Sequence, residues 1–363
     1  MDNHSIHESR QTRPEPKKIF VLRNNDLGDV LVSTPLLSGL RIAYPNCHIA
    51  IGVGKWAKSL LENNTDIDEI ISFNAPWHNK QNCKYPANSP KTFLEGLIYV
   101  FFSKEARNIT KKHFSHGIDV LGSRQGSWLM RRAGIPYCFG VKGYAGGDNW
   151  CNMNVNFKED RKVAEAALAF IPLIGSNFRV EVETRPIINL KSSEISWAKN
   201  TWKENQSETK HIIIAPGGGF PEKCWGDQNY LELIKLLLKN KNYQIRIIGS
   251  EEDKNRITID NNVQFVNLCG KLSIRESAAM VSNADFVITN SSLCMHLAGT
   301  FKIPSITLLG DWYDSAKLHH KQWGYPEGII LGKEKSKGTT SITSVNKAYS
   351  RVEGFLLNQA FTF

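Results

Sequence analysis

The chain has 363 residues, 41% of them hydrophobic and 22% charged, which excludes a disordered chain and suits two α/β units better than one core. Its formal net charge is +10, from 45 Lys and Arg against 35 Asp and Glu. A surplus of that size points either to an anionic partner, a membrane surface or a phosphorylated sugar, or to a generally basic, solvated surface. No RNA- or DNA-binding signature accompanies the charge, so a nucleic-acid partner is not expected. No apolar run approaches the ~18 residues a spanning helix needs. The 7 cysteines are scattered without CxxC spacing, which disfavours a disulfide framework or a zinc site and suits a reducing cytosol.

In chain order, residues 1–17 are polar, carry Pro14 and Pro16, and read as a flexible tail. Ile19–Arg23 then reads as a buried strand, followed by a polar loop and a helix from about Thr34 to Tyr44, with Pro35 in its first turn. Further strands are expected at Ile49–Val53, Glu69–Phe73 and Ile118–Leu121, and helices at Trp56–Glu62 and Gly126–Ala133. The stretch from about Val180 to Lys210 is polar, with helical spacing from Glu194 to Glu204 and no evident central strand. The rhythm restarts with strands at His211–Ala215, Gln244–Ile248, Phe286–Thr289 and Ser305–Leu309. Helices are expected between them at Gln228–Asn240, Ile274–Val281 and Leu293–Thr300. After Lys333 comes a polar loop, then an amphipathic helix from about Thr343 to Leu357. The organisation expected is an N-terminal Rossmann-like domain over 18–185, a second over 186–340, and a helical segment over 341–363 free to pack back on the first. Alternating strand and helix predicts parallel sheets covered on both faces, with ligands in a cleft at the strands' carboxyl ends.

Four loops at those ends carry candidate chemistry. In the first, Gly28 permits a tight turn and Asp29 can accept a proton from a substrate hydroxyl; alternatively Asp26 or Asp29 only caps the turn. The GxGxxG dinucleotide fingerprint is absent there, which speaks against a dehydrogenase. In the second, Gly217, Gly218 and Gly219 bare their backbone N–H groups to an anion and Lys223 adds a cation; the other reading is a plain flexible turn. The third holds Ser250 and Glu251, where an acid can bond a ribose hydroxyl or Ser250 can cap a helix, the second being favoured by the segment alone. The fourth runs from Thr289 through Ser291 and Ser292 to His296, at a helix N-terminus that favours negative charge. His296 by itself is more readily a structural side chain than a functional one. No Ser-His-Asp order, HExxH motif or metal-ligand cluster stands out, and no cofactor is expected.

Together these loops resemble glycosyltransferase family 9, the ADP-heptose:lipopolysaccharide heptosyltransferases, over about Lys18 to Leu331. Asp26–Pro35 is similar to that family's first-strand motif, with Asp29 at the position of the presumed base. Residues 118–125 loosely resemble its later Asp-Leu-Gln-Gly stretch, which brings in Arg124 and Gln125. Residues 219–225 resemble the loop whose Lys, here Lys223, holds the donor phosphates. Glu251 falls where the family binds ribose, and Leu272 where a side chain packs near adenine. The last motif departs from the family's Asp-Ser/Thr-Gly-Pro-Met-His: Ser291 stands for the acid and Leu293 for the glycine, while Met295 and His296 are kept.

The resemblance implies a GT-B fold and an inverting, metal-independent transfer of a sugar, heptose foremost, from a nucleotide diphosphate sugar to a lipopolysaccharide-core or related glycan. Asp29 would be catalytic. Gly218, Gly219, Lys223, Glu251, Leu272, Ser291, Ser292 and His296 would hold the donor. Arg124, Gln125, Lys111 and Arg131 are candidates for an anionic acceptor. Such an enzyme would be cytoplasmic, with transient contact at the inner membrane. A catalytically silent nucleotide-sugar-binding protein, a family member with another donor, and a sugar-nucleotide epimerase are the alternatives.

Overall fold

The computed structural model describes residues 14–86, 89–175, 182–202 and 209–357. Two parallel six-stranded sheets organise it. The first contains β1 (Lys18–Leu22), β2 (His48–Val53), β3 (Glu69–Ser72), β4 (His116–Asp119), β5 (Tyr137–Lys142) and β6 (Met153–Asn156), in the order β3-β2-β1-β4-β5-β6. The second contains β7 (Lys210–Ala215), β8 (Tyr243–Ile247), β9 (Phe265–Asn267), β10 (Phe286–Thr289), β11 (Ser305–Leu308) and β12 (Gly328–Leu331), in the order β12-β11-β10-β7-β8-β9. Each is a doubly wound sheet whose order reverses beside its first strand, between β1 and β4 and between β7 and β10. A reversal point opens a crevice outside the carboxyl ends of the strands. The α/β, GT-B expectation is met.

Helices α1 (Leu27–Leu31), α2 (Thr34–Ala43), α3 (Pro90–Phe102), α4 (Lys104–Lys111), α5 (Arg124–Arg132), α6 (Val163–Leu168) and α7 (Phe170–Ile174) belong to the first unit. The second carries α8 (Ser192–Thr201), α9 (Asp227–Leu237), α10 (Ile274–Ser282), α11 (Leu293–Phe301), α12 (Ala316–Trp323) and α13 (Val345–Leu356). The central strands are buried along their length because both faces are covered, as continuous apolar runs such as Ile212, Ile213 and Ile214 require. One apolar cluster is shared between units: Val30, Leu31 and Leu60 from the first pack with Ala278, Cys294 and Leu297 from the second. This seam fixes the two sheets against one another. All 7 cysteines are unpaired, and among the described residues no helix is long and apolar enough to cross a membrane.

The chain crosses between units over residues 182–191. Arg185 pairs with Glu327 at 2.9 Å, and the Ile187 N–H donates to Thr34 Oγ1 at 2.8 Å. Arg275, 6% exposed at the start of α10, donates to Glu194 through Nε at 2.6 Å, to Ser59 O at 3.0 Å and to Asn189 O at 2.7 Å. One guanidinium thus ties together α10, the crossing segment and the first unit.

Two expectations are corrected. The segment at 56–62 is not an α-helix but winds as a 3-10 helix, Lys55–Leu61, whose inward Ala57 and Leu60 are three residues apart, the spacing that a 3-10 turn aligns. The last helix does not pack back on the first unit. Ala348, Val352 and Leu356 of α13, spaced four apart, join Tyr230, Leu233 and Leu237 of α9 in the core of the second unit. Residues 1–13 of the expected tail and 358–363 of the last segment lie outside the described residues.

Candidate active site

The strand β1 delivers three buried polar residues, Arg23, Asn24 and Asn25, to the reversal point of the first sheet. Asn24 Nδ2 donates to Trp77 O at 2.9 Å and Asn25 Nδ2 to His78 O at 2.8 Å, pinning the loop beyond β3. Asp26 is the N-cap residue of α1, in extended conformation, and accepts from the Lys80 N–H at 3.0 Å. Asp29 follows in the first turn of α1, where a carboxylate complements the helix dipole. The Arg23 Nη2 donates to Asp29 Oδ1 at 3.0 Å and its Nε to Asp29 O at 3.1 Å. Arg23 is 5% exposed and the Asp29 side chain 33%, so a buried guanidinium orients a carboxylate that still reaches solvent.

That carboxylate lines a cavity of about 960 Å³, within the range of small-molecule sites. Arg23, Arg124, Gln125, Lys158 and Arg161 from the first unit share the lining with Trp323 of α12. Arg124 and Gln125 open α5, beyond β4. Lys111 and Arg131 do not line the cavity. Lys111 ends α4, ahead of the amino end of β4, and Arg131 lies in the last turn of α5, about 10 Å along the helix from Arg124. Arg131 instead donates to Trp150 O at 2.7 Å. Asp119, at the end of β4, is 1% exposed and accepts from the Ser123 N–H and hydroxyl, both at 2.8 Å; it anchors the turn into α5.

The facing edge is built by the second sheet. Gly217 leaves β7 directly over Asp253, where a Cβ would come 2.5 Å from both carboxylate oxygens, so a side chain there would have to displace that acid. Asn290, fully buried after β10, accepts from the Trp225 N–H at 2.9 Å and the Tyr230 hydroxyl at 3.1 Å, and donates to Gly217 O at 3.2 Å. The glycine loop and the start of α11 are thereby locked to each other. Gly218 and Gly219 continue that loop to Lys223, which sits in a short 3-10 turn with its amine 4.8 Å from the Phe220 ring centre. Ser292 is the N-cap of α11, its hydroxyl 3.1 Å from Thr289 Oγ1, and its side chain makes no cap bond to the first-turn N–H groups. Ser291 Oγ lies 2.8 Å from His319 Nε2 of α12. Burial, with Lys223 beside it, pushes the His319 imidazole down to about 4.

Electrostatics join the two edges. Burial raises the Asp26 carboxyl above its ordinary range, and Lys223, from the opposite unit, is among the charges that draw it back. Asp29 acts on the same carboxyl. The acid-bearing turn also packs on the start of α11, where a Cβ on Gly28 would lie 3.9 Å from Leu293 Cα, and the glycine loop is locked to that same start through Asn290. Such an arrangement can take a proton from a hydroxyl on one side and hold the charge of a departing diphosphate on the other.

Glu251 is exposed at 68% of its side chain, pairs with Lys254 at 3.0 Å and leans over Gly270. Asp253, two residues on, accepts from the Ser250 N–H and hydroxyl, at 2.9 and 2.8 Å, so the acid reaches back to the N-cap residue while the Ser250 side chain itself makes no cap bond. Leu272 is half-buried against the shared seam. His296 is 5% exposed, accepts or donates at Nδ1 to the Tyr325 hydroxyl at 2.9 Å, and is pushed down to about 3 by burial. It is a neutral ring packed between the units. Sequence reasoning passed over Arg23, Asn290 and His319. The first had a signal, a charged residue ending a buried strand; His319 had none. Among the described residues no group of three or more His, Cys, Asp or Glu side chains is arranged to hold a metal ion.

The model of glycosyltransferase family 9 (heptosyltransferase) matches residues 103–349. Lipopolysaccharide heptosyltransferase 2 of Escherichia coli strain K12 is 23% identical over 308 residues, covering 81% of this chain and 82% of its own length. Lipooligosaccharide heptosyltransferase 2 of Haemophilus influenzae is 22% identical over 305 residues, covering 80% and 83%. Among solved structures, the E. coli ADP-heptose lipopolysaccharide heptosyltransferase II superposes with a TM-score of 0.70 at 18% identity, covering 94% of this chain and 99% of the other. An E. coli heptosyltransferase solved with ADP-2-deoxy-2-fluoro heptose gives 0.66 at 14% identity, covering 93% and 99%. These likenesses establish the shared fold.

Proposed function

Since the chain belongs to glycosyltransferase family 9, we propose that it is an inverting heptosyltransferase that moves heptose from ADP-heptose to the core region of a lipopolysaccharide or a related anionic glycan. Asp29, oriented by Arg23, takes the proton of an acceptor hydroxyl held in the 960 Å³ cavity. The resulting oxygen nucleophile attacks the anomeric carbon from the face opposite the nucleotide, and the bond to the diphosphate breaks as the new one forms. Lys223, the N–H groups of Gly218 and Gly219, and the N-terminus of α11 take up the negative charge of the leaving ADP. No step draws on a metal ion. Arg124, Lys158 and Arg161 supply cations to the acceptor side.

The observation that carries this reading is the packing of the Asp26–Asp29 turn, through Gly28, on the start of α11, to which Asn290 ties the glycine loop that leads to Lys223. Relatives named as heptosyltransferases over four-fifths of the chain support the choice of sugar. Work at the cytoplasmic face of the inner membrane follows from an acceptor of this kind. The test is a thermal-shift panel of ADP-, GDP- and UDP-sugars together with a product assay on ADP-heptose, repeated in EDTA. Stabilisation by the ADP-sugar alone, with transfer to a core glycan unchanged by the chelator, is expected. No shift with any nucleotide sugar would remove the proposal.

A second reading, a nucleotide-sugar-binding protein that has lost transfer, is favoured by Ser291 and its bond to His319 in place of the family's acid. It predicts the thermal shift without product.

A further inference from the structure

Helix α3 is wedged between α4 and α5 on the first unit, yet its outward face is apolar. Leu94 is 57% exposed, Ile98 52%, Phe101 47% and Phe102 70%. At 3.6 residues per turn these four fall within an arc of about 100°. Contiguous exposed apolar residues on one helix face mark an interaction surface rather than scatter. The inward face is conventional: Thr92, Gly96 and Val100 are buried.

What surrounds that face is cationic. Lys91, Lys104, Arg107 and Lys111 are exposed along α3 and α4, and Arg132 closes the flank with Nη2 donating to Phe101 O at 2.7 Å. Arg107 donates to Phe102 O at 2.6 Å. The two acids nearby are turned away or paired. Glu105 accepts from the Asn74 N–H at 2.8 Å and the Asn74 side chain at 2.6 Å, and Glu95 lies 3.9 Å from Lys84. An apolar stripe framed by long basic side chains is the pattern of a helix lying in the interface of an anionic bilayer, where the rings enter the acyl boundary and the cations stay at the headgroups. Trp150, 47% exposed and held edge-on to Trp128 at 5.6 Å, adds an amphipathic ring beside the stripe.

The same helix opens the cavity. Ser89 and Phe93 line it, so the residue next to Leu94 faces the Asp29 site while Leu94 itself faces out. We propose that the outward face of α3, with its ring of Lys and Arg, seats the protein on an anionic lipid bilayer with the cavity mouth at the headgroup plane. The placement rests on the transferase reading only for its purpose, bringing a lipid-anchored acceptor to Asp29. The binding itself does not depend on it.

The test is co-sedimentation of the full chain with vesicles of phosphatidylethanolamine and phosphatidylglycerol, against vesicles of phosphatidylcholine alone, with no sugar present. Binding to the anionic vesicles should exceed that to the neutral ones by roughly tenfold and fall with added salt. Phe101→Ser with Phe102→Ser should abolish most of it, and Lys104→Glu with Lys111→Glu should remove the preference for phosphatidylglycerol. Both pairs should leave the melting temperature and transfer to a detergent-free, soluble acceptor unchanged. Where the phenylalanine pair lowers the melting temperature, Leu94→Ser with Ile98→Ser carries the test. Equal vesicle binding by the wild type and both apolar variants overturns the proposal. So does a concentration-dependent dimer that the phenylalanine pair dissolves, since a second copy would then cover the face. Vesicle binding without any nucleotide-sugar shift would leave this inference standing and the transferase reading fallen; the reverse result would do the opposite.

Discussion

Gly28 lies against the ring of His296 across the seam between the two units: a Cβ on Gly28 would come 3.0 Å from His296 Cδ2 and 3.4 Å from Nε2. Helix α1, which carries Asp29, is thereby seated on helix α11, whose N-terminus belongs to the opposite edge of the crevice. The imidazole cannot easily yield, being buried and bonded to Tyr325 at 2.9 Å. Gly28→Ala should improve the intrinsic helix preference of α1, yet the crowding outweighs it, at about 1–3 kcal/mol against under 1. A displaced α1 also moves Asp29, and a shift of about 1 Å at a reacting group costs on the order of 10²-fold in rate. Denaturant unfolding and kcat measured together check this. Full activity in Gly28→Ala would show that the contact positions nothing.

Asp29→Asn keeps the shape of the side chain and removes its capacity to accept a proton. Turnover should fall by roughly 10²–10⁴-fold while the thermal shift given by ADP-heptose stays as in the wild type. Arg23 then loses its 3.0 Å ionic partner, and stability should drop by about 1 kcal/mol, a modest figure because Asp29 is one-third open to water. Arg23→Met tests orientation separately from charge: kcat should fall with KM for the donor unchanged. Product formation at the wild-type rate in Asp29→Asn would take the residue out of the mechanism.

Much of this geometry is legible in the sequence, because strand, turn and helix succeed one another around each loop and the loops sit at the strands' carboxyl ends. That order puts Asp29, Gly218 and Lys223 in candidate loops, while the roles expected of them come from the family resemblance. Other features leave no local mark. Helix α3 has apolar residues on its outward face as well as its inward one, so no polar stripe betrays its period. β6 (Met153–Asn156) buries only Val155, and β9 spans three residues, Phe265–Asn267, too few to show alternation. His319 meets Ser291 from 28 positions away, through the crossover from β10 to α12. Only the sheet order brings them together. The last helix was legible as a helix, but its docking on α9 rather than on the first unit is a tertiary choice.

Stability should depend on acid in two windows that overlap below about pH 4.5. His319 and His296 are pushed down by burial to about 4 and about 3. Each binds its proton more weakly in the folded state than in the unfolded chain, where an imidazole titrates near ~6.5. Their contribution is complete above about pH 6.5 and is lost as pH falls, by at most ~1.4 kcal/mol per ring per pH unit. Glu194 is held at about 2, chiefly by its hydrogen bonds with Arg275. Its contribution is present above the ordinary carboxyl value and disappears as pH falls from about 4.5 toward 2. Urea unfolding at pH 7, 5.5 and 4.5 should show a decline that His319→Gln flattens, whereas Arg275→Met should lower stability at pH 7 by about 1–2 kcal/mol after allowance for solvent screening. An identical pH slope in the wild type and His319→Gln would refute the first part.

Lys223 separates donor binding from the chemistry of the acceptor side. Its amine lies over Phe220 at 4.8 Å, its backbone carbonyl accepts from the Gly310 N–H at 3.2 Å, and its charge is felt by Asp26 and His319. Because the turn is held through the backbone, Lys223→Ala should leave the loop in place and remove only the cation. A lysine that meets diphosphate in the ground state and again as it departs strengthens both, so the variant should lose roughly 10–100-fold in ADP affinity and further in kcat. Lys223→Arg should recover binding more than turnover, since a planar guanidinium replaces a point charge. Titration calorimetry with ADP at rising salt discriminates this from a structural role: the wild type should weaken steeply with salt and Lys223→Ala should not. Equal salt dependence in the two proteins would place the diphosphate elsewhere, and with it the leaving-group half of the crevice.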